Sequence, residues 1–459
     1  MSCQSRPAPC ANPTQPAWFD CFRRWLIALL IFVPACSQPA APTAQIGEQN
    51  AQDIAGQNRA EAPALELLSH LAQLGVKPWH RADIQGKGVT VCILDSGFRN
   101  LQSQLGKNLP PRVTTRSFRR DRELEARDSQ HGLLCAEIVH SLAPQADLLL
   151  ANWDTDDPKS FLDAVRWAKT QGAKVVSCSL IMPSWSDGEG GGEVHRELQH
   201  ILGNGDGATD MLFFASAGNT AQRHWCGTYS PSEDGWHRWN TDGEIENLLT
   251  PWGNERVAVE LYGPTAAPFV VEVADDRTGR LVGSAHLEAD ASRSVGRAIV
   301  RFEPTAGKQY HVKVRCQDGK AADRQEAFHL VTLGGSLNQT TARGSIPFPG
   351  DGVKVIAVGA VDAHGRRASY SSCGPNSREP KPDFTALVPF PTFARARPFS
   401  GTSAAAPQGA GLAALLWSNQ PDASASLIRA ALKLSALDLG PPGHDIETGH
   451  GLLRLPNRP

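Results

Sequence analysis

An aspartate, a histidine and a serine stand at element boundaries in this 459-residue chain. Asp95 directly follows an apolar run, His131 opens a helical pattern, and Ser403 lies in "FSGTSAAAPQGAGLAALLW" (399–417) at the start of another. Reactive groups of open α/β sheets collect at the carboxyl ends of the strands. A serine hydroxyl is a weak nucleophile until a base takes its proton. An imidazole held in one tautomer by a buried carboxylate is such a base. Each residue alone has a plainer reading: Asp95 as a turn former, His131 as a structural or surface histidine, Ser403 as a helix N-cap. Together they supply the three groups of nucleophilic acyl transfer.

The elements that must position them follow from hydrophobic period. "GVTVCILDSG" (88–97) is a β-branched apolar run closed by a turn, as expected of a strand buried on both faces. In "HGLLCAEIVHSLAP" Cys135, Ile138, Val139 and Leu142 fall at i, i+3, i+4 and i+7, which predicts a helix that Pro144 ends. The same alternation continues through "ADLLLANW", "SFLDAVRWAKTQGA", "KVVSCSL", "GEVHRELQHILGN" and "MLFFASAGN", the last ending at Asn219. Strands alternating with helices predict a parallel sheet covered on both sides.

From about Thr220 to Gly344 the period becomes two. Short runs such as "ERVAVELYG", "PFVVEVAD", "AIVRFEP" and "YHVKVRC" are separated by Gly, Pro and Asp turns. These predict half-buried antiparallel strands of a β-sandwich inserted into the α/β domain. The Trp-rich "HWCGTYSPSEDGWHRWN" (224–240) is expected to supply its core. The α/β pattern resumes at "VKVIAVGAVD" (353–362) and ends with the helix that follows Ser403.

"DSG" (95–97), "HG" (131–132), "ASAGN" (215–219) and "GTSAAAP" (401–407) resemble, in order, the signatures of the subtilisin-like serine proteases. The resemblance extends to "GKGVTVCILDSG" and to "SIPFPGDGVKVIAVGAVDAHGRRASYSSCGP" (345–375), and covers most of residues 75–220 and 345–455. It implies a doubly wound, mostly parallel α/β sheet, here with an inserted antiparallel β-sandwich, and a serine endopeptidase. Ser403 is then the nucleophile that forms an acyl-enzyme, His131 the general base and later acid, and Asp95 its orienting carboxylate. Asn219 matches the family's oxyanion-hole asparagine. Ser179, Leu180, Ile181, Ala217 and Gly218 match its substrate-binding segments. Three departures stand out: Leu133-Leu134 where the family has Thr-His, Gln408 where it has His, and Ile181 where Gly is usual. Ile181 adds bulk to the specificity pocket, and the leucines are placed to alter the wall beside His131. Pro407 is read as lying near the helix start, where few amides have internal partners.

Competing classes are weaker. An esterase could use the same triad, but the G-x-S-x-G elbow is absent. No G-x-G-x-x-G follows the first strand, against nucleotide binding. A catalytically idle binding protein of the same fold is opposed by the full residue set. A formal charge of −2 without a strong basic run argues against nucleic acid as a partner.

Organisation along the chain reads as a lipoprotein-like signal over 1–36, a flexible linker over 37–63, the catalytic domain over 64–219 and 345–459, and the insertion over 220–344. Arg23-Arg24 precede the apolar run 25–33, which ends in "VPAC", so Cys36 is the expected lipid attachment site of an exported protein anchored at a membrane, with simple secretion as the alternative. The partners expected are peptide or protein substrates and that membrane. Of the remaining cysteines, Cys92, Cys135 and Cys178 are expected as small buried apolar residues, and Cys226, Cys316 and Cys373 as the better candidates for disulfides. No cofactor is required. Acidic stretches 154–157 and 187–193 offer structural calcium an option, but neither has a recognised ligand spacing, and solvated loops are the preferred reading. Inserted after Asn219, the β-domain is expected at the cleft rim, restricting or helping to bind substrate.

Overall fold

The computed structural model describes residues 64–125, 129–265, 267–289, 295–320, 322–323, 325–376, 379–457 and 459. The signal, the linker and Cys36 lie outside the described residues. Helices α1 (64–73) and α2 (Val76–Arg81) lead into strand β1 (Thr90–Leu94). Then follow α3 (Leu101–Gln104), β2 (Thr114–Phe118), α4 (His131–Leu142), β3 (Asp147–Trp153), α5 (Pro158–Thr170), β4 (Val175–Cys178), α6 (Glu193–Leu202) and β5 (Leu212–Ser216). Ten strands from β6 (His224–Thr228) to β15 (Gly335–Leu337) intervene before β16 (Val355–Val361), β17 (Phe384–Leu387), α7 (Thr402–Asn419) and α8 (Ala425–Ser435).

The seven strands outside that block form one sheet in the order β17-β16-β5-β4-β1-β3-β2, every pair parallel. Alternation along β1 explains why both faces are covered. Val91 and Ile93 join a core beneath α4, α7 and α8, whereas Cys92 and Leu94 join another beneath α5 and α6. β1 is central, and the amide of Asp95 still donates to Ala151 of β3 at 3.0 Å, so the strand's pairing fixes the residue that follows it. Edge strand β2, "TTRSF", is largely exposed and has no apolar alternation, so its sequence carries no strand signal.

Helix α7 crosses this sheet buried along nearly its whole length. Its small residues allow that approach: a Cβ on Gly409 would lie 2.6 Å from Phe214 of β5, and one on Gly411 2.8 Å from Leu142 of α4. Gly401 is the N-cap and Ser403 the second helical residue, so Ser403 caps nothing. Pro407 is the helix's sixth residue, in its interior rather than near its start. Its missing N–H frees the carbonyl of Ser403 four residues earlier. That oxygen accepts instead from the Ser179 hydroxyl at 3.1 Å and the Cys135 thiol at 3.6 Å.

The intervening strands make two five-stranded antiparallel sheets, β10-β9-β13-β7-β15 and β11-β12-β8-β14-β6, around one shared core. In β13 Tyr310, Val312, Val314 and Cys316 are buried and the residues between them are not, as the period of two requires. Trp225 and Trp239 belong to this core. The block's ends meet, since the Thr220 hydroxyl donates to the Ser345 carbonyl at 2.6 Å.

Three expectations change. Cys226, Cys316 and Cys373 are not paired with one another, and no disulfide joins the described residues. The acidic loop beginning at Asp187 is not solvated: Asp187 is fully buried and accepts from the amides of Glu189 and Gly191. Leu133 and Leu134 point into the core beneath α4, not toward a wall beside His131. Among the described residues no helix is long and apolar enough to cross a membrane.

Gln408 has a structural reason. Fully buried, its amide donates to the carbonyls of Leu387 at 2.8 Å and Ala404 at 2.9 Å, and its oxygen faces Nε2 of His70 in α1 at 3.3 Å. Gln408→Leu should therefore lower unfolding stability by about 1–3 kcal/mol, the scale for stranded buried polar groups. Denaturant unfolding followed by tryptophan fluorescence reads this, and an unchanged midpoint would refute it.

Candidate active site

The end of β1, the start of α4 and the start of α7 converge. Asp95 is fully buried, and both its carboxylate oxygens lie 2.8 Å from Nδ1 of His131. The Ser96 amide donates to Asp95 Oδ1 at 2.7 Å, and the Ser96 hydroxyl, itself 2.6 Å from that of Ser129, also reaches it. With Nδ1–H donated to the carboxylate, Nε2 is left as the basic nitrogen. Glycine at 132 is required here, because a Cβ would lie 2.7 Å from that of Asp95. Phe399 stands edge-on to the imidazole, ring centres 5.3 Å apart.

Burial pulls His131 toward its neutral form, but the charge and hydrogen bond of the Asp95 carboxylate outweigh it, and its pKa is raised well above the ordinary value. The Cys135 thiol spans the site, 3.7 Å from Asp95 Oδ2 and 3.6 Å from the Ser403 carbonyl. Burial, followed by the Asp95 charge, pushes this thiol's own pKa up, so it stays protonated. Sequence reasoning placed Cys135 only in the core. Its second contact set depends on α4 meeting α7.

Ser403 is buried at the first turn of α7, where amide N–H groups lack internal partners and the helix dipole favours negative charge. Its hydroxyl donates to the Ser179 carbonyl at 3.3 Å, and among the described residues it makes no hydrogen bond to His131. Catalytic hydrogen bonds commonly tighten only with substrate present.

Asn219 follows β5 and is held by its oxygen, which accepts from the amide and the hydroxyl of Thr402, both at 3.0 Å. That leaves its NH₂ turned to the Gly401 side, where a Cβ on Gly401 would lie 3.1 Å from Nδ2. Gly401 also has φ 90°, a conformation L side chains avoid.

The expected substrate segments divide. Ser179 exchanges hydrogen bonds with Ser403, and Leu180 and Ile181 continue past it, half-buried. Ala217 instead packs inward on Ile346 and Ala357, and Gly218 is covered by Pro347 and Ser372. Ile181 lines a groove of about 1030 Å³ whose opposite wall is the sandwich, including Glu260, Arg297 and Arg301. A smaller hollow of about 320 Å³ adjoins Asn219 and Gly401, walled by Tyr370, Arg223 and Trp252. Trp252 is half exposed, and the Arg223 guanidinium lies 4.8 Å from its ring centre. The Asn-adjacent Trp and Tyr escaped sequence reasoning because they come from different strands and loops.

Such a site can move a hydroxyl proton to an imidazole and hold negative charge between an amide NH₂ and a helix N-terminus. The sequence profile of the Subtilase family matches residues 86–250 and 292–451. Subtilisin DY of Bacillus licheniformis is 35% identical over 123 residues, 26% of this chain and 44% of that protein. Subtilisin Savinase of Lederbergia lenta is 33% identical over 193 residues, 41% of this chain and 66% of that protein. The chain thus spans only part of the length of these relatives. The Clostridium perfringens CspB protease shares the fold at a TM-score of 0.59, covering 83% of this chain and 95% of its own at 15% identity. With the profile matching well over half of its length, the chain belongs to the subtilase family.

Proposed function

We propose that the protein is a serine endopeptidase acting through Asp95, His131 and Ser403. The observation that carries this reading is His131 Nδ1 held at 2.8 Å by buried Asp95, beside a serine at a helix N-terminus. In this reading the Ser403 side chain turns from the Ser179 carbonyl to offer its hydroxyl to Nε2 of His131. The oxygen attacks the peptide carbonyl as the proton passes to Nε2. The developing oxyanion takes hydrogen bonds from the Ser403 amide and Asn219 Nδ2. His131 then gives its proton to the leaving amine, leaving the acyl-enzyme; in the second half water attacks the acyl carbonyl as His131 takes its proton, and His131 returns a proton to the Ser403 oxygen as the acyl bond breaks.

The substrate is read as an extended peptide or protein segment running past Ser179–Ile181, with side chains entering the groove between Ile181 and the sandwich. The leaving side would occupy the Trp252–Tyr370 hollow. In this reading residues 220–344 form the inserted domain and narrow the cleft from both ends. The bond between Thr220 and Ser345, which joins the ends of that stretch, supports these boundaries. We further assign 1–36 to export, 37–63 to a tether and Cys36 to lipid attachment. A mass measurement on the exported protein's N-terminus checks this, and an unmodified chain beginning elsewhere would overturn it.

The Ser403 hydroxyl turned toward Ser179 favours one rival, an idle binding protein of the same fold. A fluorophosphonate probe should label the wild type and not Ser403→Ala; no labelling of the wild type would favour the rival. Casein digestion separates peptidase from esterase.

Activity needs neutral His131, so kcat/KM should rise with pH through a midpoint above 6.5. Because the folded-state pKa is raised, the ion pair's contribution to stability is full below the unfolded value of about 6.5 and is lost as pH rises through the folded one. Asp95→Asn should shift the activity limb to lower pH and reduce kcat by roughly 10⁴. Asn219→Ala should cost about 10²–10³ in kcat with little change in KM. Trp252→Ala should instead raise KM roughly fivefold on extended peptides and spare kcat, the ~1 kcal/mol scale of an aromatic contact. Equal losses in kcat for Trp252→Ala would refute its placement in substrate binding.

A further inference from the structure

A second cluster of chemically able side chains lies in the sandwich, away from Ser403. His224 and Cys226 sit two apart on β6 and therefore share a face. His329 of β14 is directly opposite Cys226 in the antiparallel register. One ligand-capable atom from each of the three lies within 4.8 Å of the others. Both imidazoles are buried, and Tyr262 stacks on that of His329.

The partners of the outer nitrogens bear on the tautomers. His224 Nδ1 lies 3.0 Å from the Thr341 carbonyl, which can only accept, so this nitrogen carries the hydrogen and Nε2 presents a lone pair. His329 Nε2 faces the Glu189 carboxylate at 3.5 Å, a placement that favours the hydrogen on this nitrogen and leaves Nδ1 to present the lone pair. The two inner nitrogens, His224 Nε2 and His329 Nδ1, then point at each other 3.0 Å apart. Two facing lone pairs repel unless a cation lies between them. A shared proton gives no part to Cys226, whereas a metal ion uses all three donors.

We propose that His224 Nε2, Cys226 Sγ and His329 Nδ1 bind a divalent cation of the zinc type. Two imidazoles and a thiolate suit a borderline-soft ion that takes four ligands, with the fourth position open to water. Histidine ligands characteristically give their other N–H to a carbonyl or carboxylate, the parts played here by Thr341 and Glu189. Thr341 orients the third ligand as well: its hydroxyl accepts from the Cys226 amide at 2.7 Å and reaches the thiol at 3.5 Å. Without the cation, this thiol donates to the Arg343 carbonyl at 3.2 Å. On binding, its proton leaves to solvent as the sulfur–metal bond forms, and the resulting single positive charge is balanced by Glu189.

The position gives the site a purpose. Glu189 belongs to the loop after Trp185, where Ser186 and Gly190 are bonded to buried Asp351, itself 2.8 Å from His195. Gly188 has φ 81°, and a Cβ there would collide with His329 at 2.5 Å, so glycine lets the loop close onto the cluster. The cation would fasten β6 and β14 to the loop that follows the expected substrate segment, holding the sandwich wall in register with the cleft.

Cobalt(II) titration of the metal-stripped full chain tests this. One equivalent should bind with a thiolate-to-cobalt absorption band and the visible bands of a tetrahedral ion. Zinc should displace it and calcium should not. Cys226→Ser should abolish the thiolate band, and His329→Gln should weaken binding at least tenfold, on the scale of losing a metal-site partner. Zinc should raise the melting temperature of the wild type but not of Cys226→Ser. No stoichiometric uptake by the wild type, as a shared proton between the imidazoles would give, overturns the proposal. So does a thiolate band that survives in Cys226→Ser. The wild-type spectrum remains decisive if a variant fails to fold.

Discussion

The carbonyl oxygen of Ser403 is the point on which the site's geometry depends. Proline at 407 takes away the amide that would have bonded it within α7. The oxygen is bonded across to Ser179, at the end of β4, and to Cys135 in α4. A missing helical hydrogen bond thus becomes a tie between the serine's helix, the edge of the cleft and the helix that carries His131. Cys135 extends the tie to Asp95. A buried, unsatisfied carbonyl would cost about 1–3 kcal/mol, so the tie also removes a penalty the proline would otherwise impose.

The same economy recurs around Asn219. Thr402 uses its amide and hydroxyl to hold the asparagine's oxygen, and this leaves the NH₂ group free to face the cleft. Asn219 comes from the end of β5 and Thr402 from the start of α7, so the orientation of the asparagine rests on the packing of that helix against that strand. Glycines at 409 and 411 permit the packing by removing the Cβ atoms that would collide. The small residues in the middle of α7 therefore serve its packing on the sheet and α4.

The sandwich meets the α/β domain along two hollows. Its strands supply one wall of the groove beside Ile181, and Trp252 walls the hollow beside Asn219. Glu260 accepts from the Ser184 amide at 3.3 Å and lies 3.9 Å from Arg301, so the wall is tied to the segment it faces. The chain leaving β5 and the chain returning to β16 are bonded together, Thr220 to Ser345, and β5 and β16 stay paired.

Much of this was legible in the amino-acid order. Buried strands such as β1 and β5 are continuous apolar runs, and β13 alternates, because burial on two faces or one writes itself into local period. Asp95, His131, Asn219 and Ser403 were marked by short motifs at element ends. Exposed β2 left no such mark, and neither did short β17 or helix α8, which the sequence reading passed over. Pro407 and Gln408 were visible as residues but not in their roles, since the partners of each lie far along the chain. Gln408 meets Leu387 and His70, and the carbonyl freed by Pro407 meets Ser179. The sequence by itself determined which segments bury which faces, a matter of neighbours three or four residues away. Only the tertiary structure decided which polar atoms meet, among them His224 with His329, because 105 residues separate them and only strand register brings them together.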